Sequence, residues 1–510
     1  MLHRLVDRLL GLAPSEGPKP VVTRDIAVPM PDGARLYADR YRPPGDEPMP
    51  VVLIRSIYGR KGLFPDLVAS AFARRGLQVV TQSVRGTFGS EGTLSAFHQE
   101  REDGVATVAW LRDQRWCDGR VAMAGASYLG YTAWATAPYL DEQLEALCAA
   151  IVSSDVTDAF YPGGAFALGT WGPWGVMVSQ QEQRTSPLQG KKTARAIRSL
   201  PVSELDVAAT GERIPFIREV TAPDDSWQDI HHRKAISDLK TPTSLFTGWY
   251  DIFLQGQLRD FKELQAAGTP ARITIGPWSH AEPSSIGPQL TDQVSWLRAH
   301  FGLEPLVDRR PVRLFLQNAD RWLDFDRWPP AEAVRTTLHL GPGGKLSRDP
   351  ESTSDSFTYD PADPTPSVGG AALSGKTKQQ DNRELEARPD VLVYTGEPLE
   401  AKLDVIGEIT AHIHVDAGQA DIFVRLCDVS PKGVSRNVTD GIVRLRPGQT
   451  VAEVALDPTA YRFDRGHRLR VQVSGGAFPR FDRPAENPCE IKVSHASRIE
   501  LPAVVSGMTG

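Results

Sequence analysis

The chain has little of what a covalent scaffold, a metal centre or a membrane span would need. Its 510 residues hold four cysteines, Cys117, Cys148, Cys427 and Cys489, none in a C-x-x-C pair. Neither a disulfide framework nor a zinc site follows from that scatter, and reduced thiols in a cytoplasmic protein are the simplest account. Basic residues are not in excess: 57 Lys and Arg against 63 Asp and Glu leave a net charge of -6. That balance offers no footprint for nucleic acid or an anionic membrane. Long hydrophobic runs are missing as well. The opening Met1-Leu-His-Arg-Leu-Val-Asp-Arg-Leu-Leu-Gly-Leu12 is too broken by charge for a signal peptide's apolar core, and no segment reaches transmembrane length. It reads as a poorly ordered leader. Gly86-Thr-Phe-Gly-Ser-Glu-Gly92 lacks the Gly-Lys-Ser/Thr ending of a phosphate loop and reads as a turn. His412 and His414 share a strand face but have no third ligand nearby, so they read as a solvated surface and no metal is expected.

What is present is ordinary globular composition, 41% hydrophobic and 24% charged, at a length that implies two or three domains. Over residues 1–150, apolar runs at Val51–Ile54, Leu77–Gln82 and Val121–Ala124 alternate with helical stretches at Leu67–Arg75 and Glu102–Asp113. Strands separated by helices imply a mostly parallel, doubly wound α/β sheet. Over residues 151–240 the pattern breaks into polar helical stretches and glycine-rich turns, Tyr161-Pro-Gly-Gly164 and Gly169-Thr-Trp-Gly-Pro-Trp-Gly175. The sheet pattern resumes over residues 241–305, so the segment between is an insertion placed to act as a helical cap. From residue 306 to 510 helix signals nearly vanish. Alternating runs such as Val312–Leu316, Ala411–Val415, Ile422–Leu426 and Leu469–Val473 stand between Pro, Gly and Asp turns, the signature of an antiparallel sandwich.

Chemistry is legible at Ser127. An apolar strand runs through Val121-Ala-Met-Ala124 into Gly125-Ala-Ser127, and a helical stretch follows at once. A serine wedged between a buried strand and a helix is the layout of a nucleophile elbow, although Leu129 holds the second glycine's place in G-x-S-x-G. A Cβ at Gly125 would crowd the neighbouring backbone. The amide of Tyr128, at the helix N-terminus, is placed to meet a developing oxyanion. Downstream, Ser244-Leu-Phe-Thr-Gly-Trp-Tyr-Asp251 reads as a strand presenting Asp251, with a helix over Leu254–Ala267 behind it. Ala271-Arg-Ile-Thr-Ile-Gly276 then leads into Pro277-Trp-Ser-His280. An acid and a histidine just past strand C-termini, in the order Ser, Asp, His, match the α/β-hydrolase arrangement. A serine hydroxyl needs a base, and the base needs an acid to hold its tautomer. Plainer readings compete: Asp251 as a helix cap, His280 as a loop histidine with His98, His231, His232 and His300 as rivals.

Gly125-Ala-Ser-Tyr-Leu-Gly130, Gly248-Trp-Tyr-Asp251 and Gly276-Pro-Trp-Ser-His280 together resemble the CocE/NonD family of serine hydrolases, whose members include X-prolyl dipeptidyl peptidases and α-amino acid ester hydrolases. Gln114-Arg-Trp-Cys-Asp-Gly-Arg-Val121, Tyr359-Asp-Pro-Ala-Asp-Pro364, Asp440-Gly-Ile-Val-Arg-Leu-Arg446 and Gly466-His-Arg-Leu-Arg-Val-Gln-Val-Ser474 extend the likeness from about residue 22 onward. The resemblance implies that the C-terminal sandwich is a jelly roll and that Tyr58, after the first core strand, lends its hydroxyl to the oxyanion hole; a core tyrosine is the plainer alternative. Ile57 stands where the family usually has proline, so the turn before Tyr58 lacks proline's fixed φ. Ser83 stands where aspartate is common, which removes a structural partner for Arg85.

The expected activity is hydrolysis of carboxylic esters through an acyl-enzyme, without cofactor. The expected partner is a small-molecule ester, with no nucleic acid or membrane; the oligomeric state stays open, a homodimer among the options. Trp171 and Trp174 in the cap, Trp249 beside the acid and Trp278 beside the base suggest aromatic walls for a compact apolar or aromatic acyl group; ordinary core tryptophans are the competing account. Peptidase or amino-ester hydrolysis on the same machinery is the alternative function, and an inert carbohydrate-binding module a lesser one. The family's amino-ester and X-prolyl members place carboxylates near the acyl site, whereas the segment aligned with one such stretch, Tyr161-Pro-Gly-Gly-Ala-Phe166, carries none.

Overall fold

The computed structural model describes residues 7–8, 11–15, 17–183, 186–222, 225–373, 375–484 and 487–504. The first of two sheets has ten strands: β1 (Val21–Pro29), β2 (Arg35–Arg42), β3 (Met49–Ser56), β4 (Gln78–Ser83), β5 (Cys117–Ala126), β6 (Leu147–Ala150), β7 (Thr243–Tyr250), β8 (Ala271–Ser279), β9 (Val312–Leu316) and β10 (Arg321–Phe325). They lie side by side as β1-β2-β4-β3-β5-β6-β7-β8-β9-β10. Neighbours from β4 to β9 run parallel, while β1, β2 and β10 pair antiparallel at the margins. β4 and β7 are buried at every position, as strands covered on both faces must be. Alternate residues feed two cores. Val51, Leu53, Val121 and Met123 pack with the helices Glu100–Arg112, Tyr128–Trp134 and Leu254–Ala266, whereas Val52, Ile54, Ala122 and Ala124 pack with Leu63–Ala73 and Pro283–His300.

Four expectations need correction. Val312–Leu316 is β9 of the first sheet, parallel to β8 through Ile273–Val312, and does not open the sandwich at residue 306. Its buried/exposed alternation belongs to a sheet margin covered chiefly on one face, which periodicity alone cannot separate from a sandwich strand. The run from Gly169 to Gly175 is no turn but the heart of a helix, Leu168–Gln180. Its glycines are places of close approach: a Cβ on Gly172 would lie 2.9 Å from Leu205, and one on Gly175 2.7 Å from Ile217. The N-terminal leader is docked where it is described. Leu12 joins the core of Phe72 and Trp296, and the Asp7 carboxylate accepts from the Ser15 N–H and hydroxyl and pairs with Arg75. Met1–Val6 and residues 9–10 lie outside the described residues. Arg85 does not lack partners, being paired with Asp103 at 2.6 Å and Asp32 at 2.7 Å; Ser83 instead accepts from Arg60.

Between β6 and β7 the chain forms short helices, among them Leu168–Gln180, Gln189–Ala196, Leu205–Thr210 and Pro215–Thr221. Beyond β10 lies the second, mainly antiparallel sheet, of eleven strands among the described residues. Its longest member, Leu403–Ala417, pairs antiparallel with Val451–Phe463, Cys489–Ser494 and Arg498–Val504. Inward residues such as Ile409, Ala411 and Ile413 build a separate apolar core with Val454, Val471 and Ile499.

Candidate active site

Three turns meet at the C-terminal edge of the parallel strands. β5 stops at Ala126 and a helix starts at Tyr128, leaving Ser127 in the turn with φ 55° and ψ -130°. A positive φ on a residue with a Cβ persists only where its surroundings over-determine it. Here the Ser127 N–H donates to the Ala150 carbonyl at 2.9 Å. A Cβ on Gly125 would lie 2.2 Å from the Leu129 carbonyl carbon, so only glycine fits there. The glycine that the pattern displaces by one is also needed: a Cβ on Gly130 would lie 2.6 Å from Val152. Leu129 itself packs into the core on the opposite face, with Ala122 and Leu290.

Asp251 follows β7 and is 1% exposed. One carboxylate oxygen lies 2.9 Å from His280 Nδ1, and the other accepts from the Phe253 N–H at 2.8 Å. His280 follows β8, and its Nε2 lies 2.9 Å from Ser127 Oγ. Carboxylate, imidazole and hydroxyl thus form one hydrogen-bonded chain. The helix behind Asp251 starts at Leu254 with Phe253 in the cap position, so Asp251 holds the approach to it without being its cap. The rival histidines are engaged elsewhere: His98 with Glu219, His231 with Asp155, His232 between the Tyr131 and Tyr139 hydroxyls, and His300 against Trp296.

Tyr58 follows β3, and its hydroxyl lies close to the Ser127 side chain. The same oxygen accepts from Trp174 Nε1–H at 2.9 Å. Burial raises the phenol's pKa, so the group is a neutral donor at neutral pH. Tyr128 opens the helix, and its N–H therefore precedes the first intrahelical acceptor. Its own hydroxyl is occupied, accepting from the Phe97 N–H at 3.0 Å and donating to Glu100 at 2.7 Å.

Beside Ser127 stand Phe97, Tyr128, Tyr131, Val152, Val156, Trp171, Trp174 and Phe253. The space they enclose is nearly filled, about 10 Å³. Trp171 and Trp174 therefore share this wall with the serine, whereas the other two tryptophans do not. Trp249 donates to the Phe315 carbonyl at 2.7 Å and packs on Trp328, under the β9–β10 hairpin. Trp278 stacks on Phe246 at 4.8 Å and faces Trp322. Both stand inside their strands, two residues before Asp251 and His280, which lie in the turns beyond the strand ends. Phe97 and Phe253 escaped sequence reasoning. Phe253 had a usable signal, two residues after Asp251; Phe97 reaches the site through a left-handed backbone, φ 73°, that no pattern announces.

A twisted parallel sheet with serine, histidine and acid joined at its C-terminal edge defines the class, a serine hydrolase on an α/β-hydrolase core. Residues 32–282 match the family pattern described as X-Pro dipeptidyl-peptidase (S15 family), and residues 307–498 match the X-Pro dipeptidyl-peptidase C-terminal non-catalytic domain. Cocaine esterase of Rhodococcus sp. (strain MB1 Bresler) is 33% identical, over 91% of this chain and 92% of that protein. The chain belongs to this S15 group of CocE/NonD serine hydrolases. Among solved structures, an aminopeptidase from a marine-sediment Thaumarchaeota archaeon superposes with TM-score 0.82 at 23% identity, covering 96% of this chain and 99% of that one. An α-amino acid ester hydrolase superposes with TM-score 0.80 at 22% identity, covering 96% and 98%. At that identity the two structures speak for a shared fold.

Proposed function

We propose that this enzyme hydrolyses carboxylic esters by way of an acyl-enzyme on Ser127. The observation that carries the reading is the continuous hydrogen-bonded chain from Asp251 through His280 to Ser127 Oγ, each link 2.9 Å. In it, His280 Nε2 takes the serine proton as Oγ attacks the ester carbonyl, and Asp251 holds the Nδ1–H tautomer and stabilises the imidazolium. The Tyr58 hydroxyl, and the Tyr128 N–H ahead of its helix, donate to the oxyanion; one such donor is worth about 3–4 kcal/mol in the transition state. His280 then returns the proton to the departing alkoxide. Water, activated by the same imidazole, adds to the acyl carbonyl and releases the acid.

The walls support a choice of acyl group. The residues lining the space beside Ser127 are aromatic or aliphatic apart from the serine, and none is a carboxylate. A substrate ammonium would lose its hydration there without a counter-charge. That favours esters of neutral acids over aminoacyl esters or X-Pro peptides. The small free volume favours compact acyl groups. In this reading residues 151–240 are a cap that sets acyl preference. The test is kcat/KM on p-nitrophenyl acetate, butyrate and benzoate against Ala-Pro and Gly-Pro p-nitroanilides. Esters should lead by orders of magnitude; faster cleavage of the X-Pro anilides would favour the peptidase reading.

A further inference from the structure

Beyond the residues named so far as acting on substrate, a second set sits behind the oxyanion loop. Ile57 removes proline's restraint from the turn that carries Tyr58, so something else must hold that turn. The helix Leu168–Gln180 leans across it and makes two polar contacts. Trp174 Nε1–H donates to the Tyr58 hydroxyl oxygen at 2.9 Å, and the Gln181 amide, one residue past the helix, donates to the Ile57 carbonyl at 2.8 Å. Just beyond, the Glu182 carboxylate accepts from the Phe88 N–H at 2.8 Å, and the Phe88 ring closes over Gly59, where a Cβ would lie 2.9 Å away. Trp174 also reaches the second donor's residue: its ring stacks on that of Tyr128, centroids 6.0 Å apart and planes at 20°.

The direction of the indole bond matters. Indole N–H only donates, whereas a phenol offers one proton and two lone pairs. By filling a lone pair of the Tyr58 oxygen, Trp174 leaves the phenol's single proton for another acceptor, the oxyanion that forms beside Ser127. We infer that Trp174 and Gln181 are positioning residues of the oxyanion hole: the indole N–H aims the Tyr58 hydroxyl, the Gln181 amide pins the Ile57–Tyr58 peptide, and both do the work left undone by the missing proline. Trp174 also borders the acyl space, so one side chain links the wall that meets the acyl group to the donor that meets its oxyanion.

This inference rests on Tyr58 being an oxyanion donor, and a double-mutant cycle separates the two. Trp174 is replaced by 3-benzothienylalanine, which keeps the bicyclic shape and puts sulfur in place of N–H; Trp174→Phe and Gln181→Leu accompany it. With p-nitrophenyl acetate, the sulfur analogue should lower kcat about tenfold with KM little changed. In a Tyr58→Phe background the same replacement should change kcat by less than about twofold, because there is no hydroxyl left to aim. Gln181→Leu should show the same dependence on Tyr58 with a smaller loss, and melting curves verify that each variant is folded. An unchanged kcat in the sulfur analogue, or an equal loss in both backgrounds, overturns the inference while leaving Tyr58 its role. A Tyr58→Phe enzyme with unaltered kcat overturns the oxyanion reading and this inference with it.

Discussion

The floor and the wall of the site are held by different forces. On the floor, Ser127, Asp251 and His280 each follow a parallel strand, and each is tied by a hydrogen bond of 2.8 to 2.9 Å to backbone or to the next member. The wall is a helix seated on glycines, with Gly172 against Leu205 and Gly175 against Ile217 and Phe216, and with rings touching rings: Phe97 lies 5.5 Å from Trp174 and Trp171 5.6 Å from Trp174. Hydrogen bonds fix angles, which proton transfer requires. Close packing fixes shape, which recognition of an acyl group requires. Chemistry and selectivity can therefore be altered separately, except where Trp174 spans the two.

The sharpest break comes from the floor. Ser127→Ala should cost kcat about 10⁶-fold with the fold intact, as losses at triad serines do. Residual p-nitrophenyl ester turnover above about a thousandth of the parent would show that the acyl-enzyme does not form at this residue. Asp251→Asn should follow with about 10⁴-fold in kcat, because an amide facing Nδ1 favours the wrong tautomer. A loss below tenfold, read from steady-state kinetics, would reduce Asp251 to holding its turn through the Phe253 N–H.

Breaking the wall should look different. Gly175→Val puts a branched side chain into space taken by Ile217 and Phe216, an overpacking that costs about 1–3 kcal/mol and lowers Tm. Ser127 should still be labelled by phenylmethylsulfonyl fluoride, while the ranking of acetate, butyrate and benzoate esters shifts. Lost labelling in a folded variant would mean that floor and wall are not separable. Trp249→Phe should do least: the bond to the Phe315 carbonyl goes, about 1 kcal/mol of stability with it, and kcat/KM stays within about twofold. A changed acyl preference would return Trp249 to the pocket.

Much of the floor could be read without coordinates. The apolar runs ending at Ser127, Asp251 and His280 are local, and a parallel sheet gathers strand C-termini along one edge whatever the loops do. The N-terminal segment and β9 were misassigned because their partners lie far away in the chain: Asp7 meets Arg75, and β9 pairs with β8 across the helix Pro283–His300. The glycine-rich helix was misread for a related reason, since its glycines answer to Leu205, Phe216 and Ile217 and not to their own backbone.

The class of chemistry is written along the chain, because a nucleophile, its base and its acid are specified by residue type and by place after a strand. Folding in three dimensions selects which aromatics face the serine: Trp171 and Trp174 do, Trp249 and Trp278 do not, and Trp174 and Gln181 stand behind Tyr58. The physical reason is that side-chain direction and long-range packing depend on which elements meet across the cap, and periodicity along one segment carries no record of its partner.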